Sequence, residues 1–158
     1  MSIKKSNKIL EKLIWVESKI FNPLIKKILD SKLHWPLSTR LMCISYKGHK
    51  SGEKYTTPVY YHPNRNRLFV ITMKQEASWW KNFRKTHPVK IKYKGKTYKT
   101  TGDAVIDPET ISKYLKKLIK KSWHWKILLK IYGVPINPTE KQIREKSKRL
   151  VLVKFKKP

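Results

Sequence analysis

The sequence predicts an α+β protein in which six antiparallel strands close into a small barrel with helices packed outside it. Three observations carry that expectation. Apolar residues recur every three or four positions over residues 7–32, as on one face of an amphipathic helix. Over residues 41–105 the period shortens to β-branched and aromatic runs broken by turn signals. Helical spacing then resumes after Asp107, and the closing run "RLVLVKF" reads as a strand that returns to the sheet.

In the first segment the apolar face is built from Ile9, Leu10, Leu13, Ile14, Ile20, Phe21, Leu24, Ile25 and Ile28. Asn22 followed by Pro23 has the form of a fresh N-cap and first helical position, so two helices or a kink are expected there. Residues 1–36 are read as an N-terminal amphipathic helical segment and residues 37–158 as the barrel domain. The expected strands are "LMCISY", "YTTPVYY", "RLFVITM", "VKIKY" and "TYKTTGDAVI", with turns at "HPNRN" and "KGK". One interruption, "EASWWKNFRKT", places Trp79, Trp80 and Phe83 on one side of a short helix.

Asp107, Pro108 and Glu109 combine a capping carboxylate, proline at the first helical position and negative charge at the positive end of the helix dipole. The helix they start runs through "ETISKYLKKLIKKSW" and turns Ile111, Tyr114, Leu115 and Leu118 inward. After the irregular "YGVPINP", Thr139 can cap a further short helix. Six strands of this length are too many for a hairpin and too few for a sandwich, which leaves a small barrel.

A chain of 158 residues suits one domain with an ordinary core. Its net charge of +28 draws anionic partners: nucleic acid, an anionic membrane surface, or a cofactor bearing phosphate or carboxylates. The lysines run from Lys4 to Lys157 instead of forming one tail, which is also how a solvated surface looks. Cys43, the only cysteine, sits in an apolar run, so it is expected as a packed thiol in a reducing compartment. The N-terminus lacks a long uncharged apolar stretch and a small-residue cleavage site, so no secretion is expected. No zinc-ligand spacing, P-loop or Gly-x-Ser-x-Gly is present, and no metal is expected. Trp79 and Trp80 are expected in the core in preference to a stacking surface, and Trp123 and Trp125, beside His124, in a helix-helix core, with an anchor at a membrane interface as the alternative.

The stretch "YKGHKSGEKYTTPV", residues 46–59, stands apart from these elements. Most tight hairpins need only an Asn-Gly or Asp-Gly pair. Here Gly48 and Gly52 flank His49, Lys50 and Ser51, so backbone N–H groups, a cation and a hydroxyl converge where an oxyanion could sit.

With that turn in place, the sequence resembles the deazaflavin-dependent nitroreductase and quinone-reductase family. These are split β-barrels related to the FMN-binding, pyridoxamine-phosphate-oxidase-like barrels. Gly48, His49, Lys50, Ser51, Gly52, Thr57, Pro58 and Val59 match its glycine, basic pair, Ser-Gly and Thr-Pro-aliphatic pattern. Thr72, then Trp79, Trp80, Asn82 and Phe83, then His87, Pro88 and Val89 match its second pattern, and the resemblance covers most of the chain from Arg40 onward. It implies a six-stranded antiparallel split barrel and an oxidoreductase that binds reduced coenzyme F420, a deazaflavin, with FMN as the alternative. Hydride would pass to a small organic acceptor such as a quinone, nitro compound or enone.

On this resemblance His49, Lys50 and Ser51 hold the cofactor's phosphate arm, Thr57 and Pro58 shape the strand beneath it, and Thr72, Ser78 and Trp79 border the ring system. It nominates no proton donor. Family members usually carry Arg where His49 and Tyr55 stand, and a glycine-rich step where "MKQEAS" stands, which leaves deazaflavin and FMN both open. The family also implies a homodimer.

A reading from another class is a non-enzymatic basic module for nucleic acid or anionic membrane, resting on charge and on aromatics interleaved with lysine in "SWWKNFRK" and "YKGKTYK". The N-terminal helix, with Lys4, Lys5, Lys8, Lys12, Lys19, Lys26 and Lys27, either caps the barrel or lies on an anionic membrane. The expected location is the cytoplasm, with any membrane contact peripheral and on its inner face.

Overall fold

A computed structural model describes residues 41–158; the helical segment expected over residues 1–36 lies outside the described residues. Among the described residues there are seven strands: β1 (Leu41–Lys47), β2 (Lys54–Tyr60), β3 (His62–Asn64), β4 (Arg67–Met73), β5 (His87–Tyr93), β6 (Lys96–Val105) and β7 (Leu150–Lys156). A 3₁₀ helix, Trp79–Phe83, lies between β4 and β5. Helices α1 (Pro108–Lys121), α2 (Trp123–Ile131) and α3 (Glu140–Ser147) lie between β6 and β7.

The strands form one antiparallel sheet in the order β2-β1-β5-β6-β7-β4-β3. Laid flat, seven strands span about 29 Å from first to last, at about 4.8 Å per step. Yet the edge strands β2 and β3 are joined through Tyr61 alone, a reach of about 3.5 Å per residue. The sheet must therefore curl until its two edges meet. Tyr61, 1% exposed, turns into the enclosed space and meets Tyr93 of β5 edge-on at 5.2 Å. No ladder joins β2 to β3 or β4 among the described residues, so the barrel stays split along that seam.

Side-chain alternation matches this layering. On β5, Val89, Ile91 and Tyr93 enter the barrel core while Lys90 is exposed, the pattern of a strand with one wet face. On β4, Leu68 and Val70 face the barrel interior and Ile71 faces the helices, so the strand is apolar on both faces. β7 repeats this with Val151, Val153 and Phe155 inside and Leu150 and Leu152 under the helices. Both continuous apolar runs in the sequence thus belong to strands covered on two sides.

Asp107 caps α1 as expected, accepting from Thr110 N–H at 2.8 Å. Thr139 caps α3 and forms a reciprocal capping box with Gln142. Two features depart from the sequence reading. The barrel has seven strands instead of six, because His62–Asn64, expected as a turn, pairs with Arg67–Phe69 on β4. The helix expected to run unbroken into Trp123 stops at Ser122, whose backbone is extended, and α2 starts afresh. As a result Trp125 is buried, as expected, whereas Trp123 is 71% exposed. Cys43 is buried, as expected.

Candidate functional site

The turn after β1 and the 3₁₀ helix, distant in sequence, meet at one end of the barrel. Across the turn, Gly48 N–H donates to Glu53 O at 2.7 Å and Gly52 N–H to Gly48 O at 2.9 Å. A Cβ on Gly48 would stand 2.5 Å from Ser51 Oγ and 2.7 Å from the Tyr55 ring, so only glycine lets the turn fold this tightly. Ser51 Oγ is shared between Tyr55 OH at 3.1 Å and Glu53 N–H at 3.3 Å. Lys50 and His49 remain exposed at the tip.

Asn82 fastens this turn to the 3₁₀ helix. Its Oδ1 accepts from His49 N–H at 2.8 Å, and its Nδ2 donates to Trp79 O at 2.9 Å. With the amide engaged at both ends, its orientation is set by the two partners. A second tie lies beside it: His87 Nε2, at the start of β5, donates to Lys47 O at 2.8 Å. Beneath both ties is Phe83, 0% exposed, with edge contacts to Tyr46 at 5.4 Å, His87 at 5.9 Å and Phe155 at 5.5 Å between ring centroids. The ring seats on β6 where Gly102 stands, since a Cβ there would lie 2.8 Å from it.

The other predicted site residues distribute as follows. Trp79 is half-buried and packs against the barrel core, while Ser78 is exposed just before it. Thr57 shares the inward face of β2 with Val59 and bonds the Tyr46 hydroxyl. Burial holds the Tyr46 phenol above its ordinary pKa, and the bond to Thr57 works against that rise. Thr72 is buried on β4, in register with Val151 of the barrel core. Pro58 pairs with Cys43 on the opposite face of β2, at an edge where its missing N–H is tolerated. Sequence reasoning passed over Tyr46, Tyr55, Asn82 and His87 as site residues. The mutual register of Tyr46 and Tyr55 follows from the turn length once Lys47 pairs with Lys54.

Among the described residues, ion pairs join Lys113 to Glu109, Lys116 to Glu140 and Lys148 to Glu145, all on or beside helices. Among the described residues the Lys50 ammonium has no such carboxylate partner, and no backbone carbonyl accepts from the N–H groups of Lys50 and Ser51. Trp79 offers an apolar surface beside that polar tip. Replacing Asn82 by Ala should leave the His49 N–H without its acceptor and destabilise the fold by about 1 kcal/mol. Faster amide exchange at His49 in the variant checks this; unchanged exchange would mean that the turn holds itself.

No family model matches the chain, and no curated protein matches it. Among solved structures it is similar to one described as an F420-H2-dependent reductase, at 18% identity over 75% of this chain and 94% of that chain, with a TM-score of 0.45. It is similar to a FAD-binding protein from Mesorhizobium loti, at 16% identity over 84% of this chain and 86% of that chain, with a TM-score of 0.41. A FAD and heme binding protein from Mycobacterium smegmatis is 13% identical over 80% of this chain and 71% of that chain, with a TM-score of 0.42.

Proposed function

We propose that the protein is an oxidoreductase that holds a phosphate-bearing, flavin-type cofactor in the cleft between the turn of residues 48–52 and the 3₁₀ helix. Coenzyme F420 suits the basic rim best, with FMN as the alternative. The cofactor supplies the hydride, and a small organic acceptor such as a quinone, nitro compound or enone receives it. The observation that carries this reading is the Asn82 bridge from His49 N–H to Trp79 O, which brings the two sequence patterns together at one end of the barrel.

Within the cleft, Lys50 and the N–H groups of Lys50 and Ser51 fit a phosphate. Ser51 contributes less than its sequence position suggests, because its hydroxyl already serves Tyr55 and Glu53. Trp79 fits the flat face of a ring system, and Thr72 and Thr57 lie on the inward faces of the strands behind it. Excluding water there strengthens each polar contact to the ring.

The first test is cofactor retention: protein incubated with F420, FMN or FAD and desalted should keep the absorbance of one of them, and retention of none refutes the proposal. The second is Lys50→Ala, expected to weaken cofactor binding by roughly 1.5–3 kcal/mol, about ten- to a hundredfold. Lys117→Ala on the exposed face of α1 lowers net charge equally and serves as the control. Equal small losses from both would assign the effect to the general positive field.

A further inference from the structure

We propose that the open edge of β6 binds an extended acidic segment of a partner protein as an added strand. β6 has ten residues, yet only Gly102–Val105 pair with β7. The hairpin before it fixes where the rest of its backbone points. Lys94 and Gly95 have φ of 49° and 78°, so the two-residue turn is the mirror-image kind in which Tyr93 C=O accepts from Lys96 N–H. Hydrogen-bonded pairs alternate along an antiparallel ladder, so the N–H and C=O groups of Thr97, Lys99 and Thr101 point away from β5. Among the described residues no strand pairs with them on that side, and no backbone carbonyl accepts from Lys99 or Thr101 there. β7 leaves the edge open because its tail is bound elsewhere: Lys156 O accepts from Thr100 Oγ1 at 3.0 Å, and Lys157 N–H donates to Asn66 O at 2.9 Å, beside β4. The fork between the two strands is a groove of about 420 Å³ lined by Lys99, Thr100, Thr101, Lys156, Lys157 and Pro158.

Charge and pleat decide what fills it. Among the described residues no carboxylate pairs with Lys99, Lys156 or Lys157. Lys99 stands opposite Lys90 on β5 and Lys156 opposite Arg67 on β4, and like charges directly across a ladder destabilise it. A strand laid antiparallel on β6 would set every second side chain beside Lys99 on the outer face, where a carboxylate offsets that repulsion. The side chains between would turn toward Tyr98, which packs against the barrel core, and apolar residues suit them. The chemistry recognised is therefore an extended run in which acidic and β-branched residues alternate, bound through its main chain and sorted by its charge. A second copy of this edge would bring lysine against lysine, which is how natural edge strands oppose self-pairing. Nucleic acid would meet the ammonium groups but set its phosphates against the edge carbonyls.

The probe is the peptide Glu-Val-Glu-Val-Glu-Val, blocked at both ends, added to the full chain while amide exchange is followed by NMR. The Lys99 and Thr101 amides should exchange rapidly in the free protein and at least about tenfold more slowly once the peptide is bound. A peptide of equal charge with proline in place of valine cannot add as a strand, and should bind at least about tenfold more weakly. Lys99→Gln should weaken binding of the first peptide about three- to tenfold, whereas Lys117→Gln, which removes the same charge on α1, should not. Because Lys99 faces Lys90, the Lys99 variant should melt no lower than the parent. Any of four results would overturn the proposal: no binding of the valine peptide, equal binding of the proline peptide, binding that leaves the Lys99 and Thr101 amides unprotected, or protection of those amides by an oligonucleotide or by self-association while the peptide is ignored.

Discussion

Phe83→Ala should destabilise the protein by about 3–5 kcal/mol, a large part of the roughly 5–15 kcal/mol that holds a typical domain folded. The ring is 0% exposed and bridges Tyr46 on β1, His87 on β5 and Phe155 on β7, with Trp79 edge-on at 6.0 Å. Truncation removes its transfer free energy and leaves a void that the strands cannot collapse to fill, because their ladders fix their spacing. It also loosens the cleft, since Asn82 and Trp79 ride on the same 3₁₀ helix. Urea unfolding measures the first effect and cofactor retention the second. Phe83→Leu keeps most of the volume and should recover more than half of the lost stability. A loss under 1 kcal/mol for the alanine variant would show that the helix is not seated on the barrel as described.

How much of this was legible in the sequence depends on whether a feature is local. The wet and covered faces of the strands were, because "VKIKY" alternates while "RLFVITM" does not, and each pattern reports its own burial. Both helix caps were, since a cap is set by residues three apart. β3 was not: His62, Pro63 and Asn64 are poor strand formers, and β4 makes them a strand by pairing with them. The break at Ser122 was equally silent, because "KKSWHW" contains no glycine or proline and keeps its apolar spacing. Barrel closure became visible only once the strand order was known.

The candidate site divides along the same line. The glycine-flanked turn and the tryptophan helix each announce themselves, but their junction through Asn82 spans 33 residues and belongs to the tertiary structure. Tyr55 shows the difference most sharply. In sequence it is a missing arginine; in the structure its ring stacks on Tyr46 at 5.8 Å and its hydroxyl engages Ser51. On the proposed reading, that contact leaves the anion to Lys50 more than to Ser51.

Acid should begin to destabilise the protein above the carboxylate range, through His62. This side chain is 3% exposed, and its Nδ1 lies 2.7 Å from Tyr114 OH. Trp125 meets its ring edge-on at 4.9 Å, while Phe69 and Tyr114 stack at 6.4 and 5.6 Å. Burial first, and then the nearby Lys121 charge, lower its pKa from 6.5 to about 3. Burial likewise raises that of the Tyr114 phenol, so the pair is held neutral on both sides. The sign follows: the unfolded chain takes up a proton below about pH 6.5 while folded His62 does not, so stability is intact above that value and falls as pH drops toward 3. The slope for one such group is about 1.4 kcal/mol per pH unit. Between about pH 6 and 5 most carboxylates are still ionised, so the histidine effect stands apart from theirs. His62→Gln cannot protonate but can still bond Tyr114, so urea unfolding of the variant should lose this slope while the parent keeps it. Parallel pH dependences in parent and variant would mean that folded His62 reaches water and protonates freely, and that the seam between β3 and α1 is open.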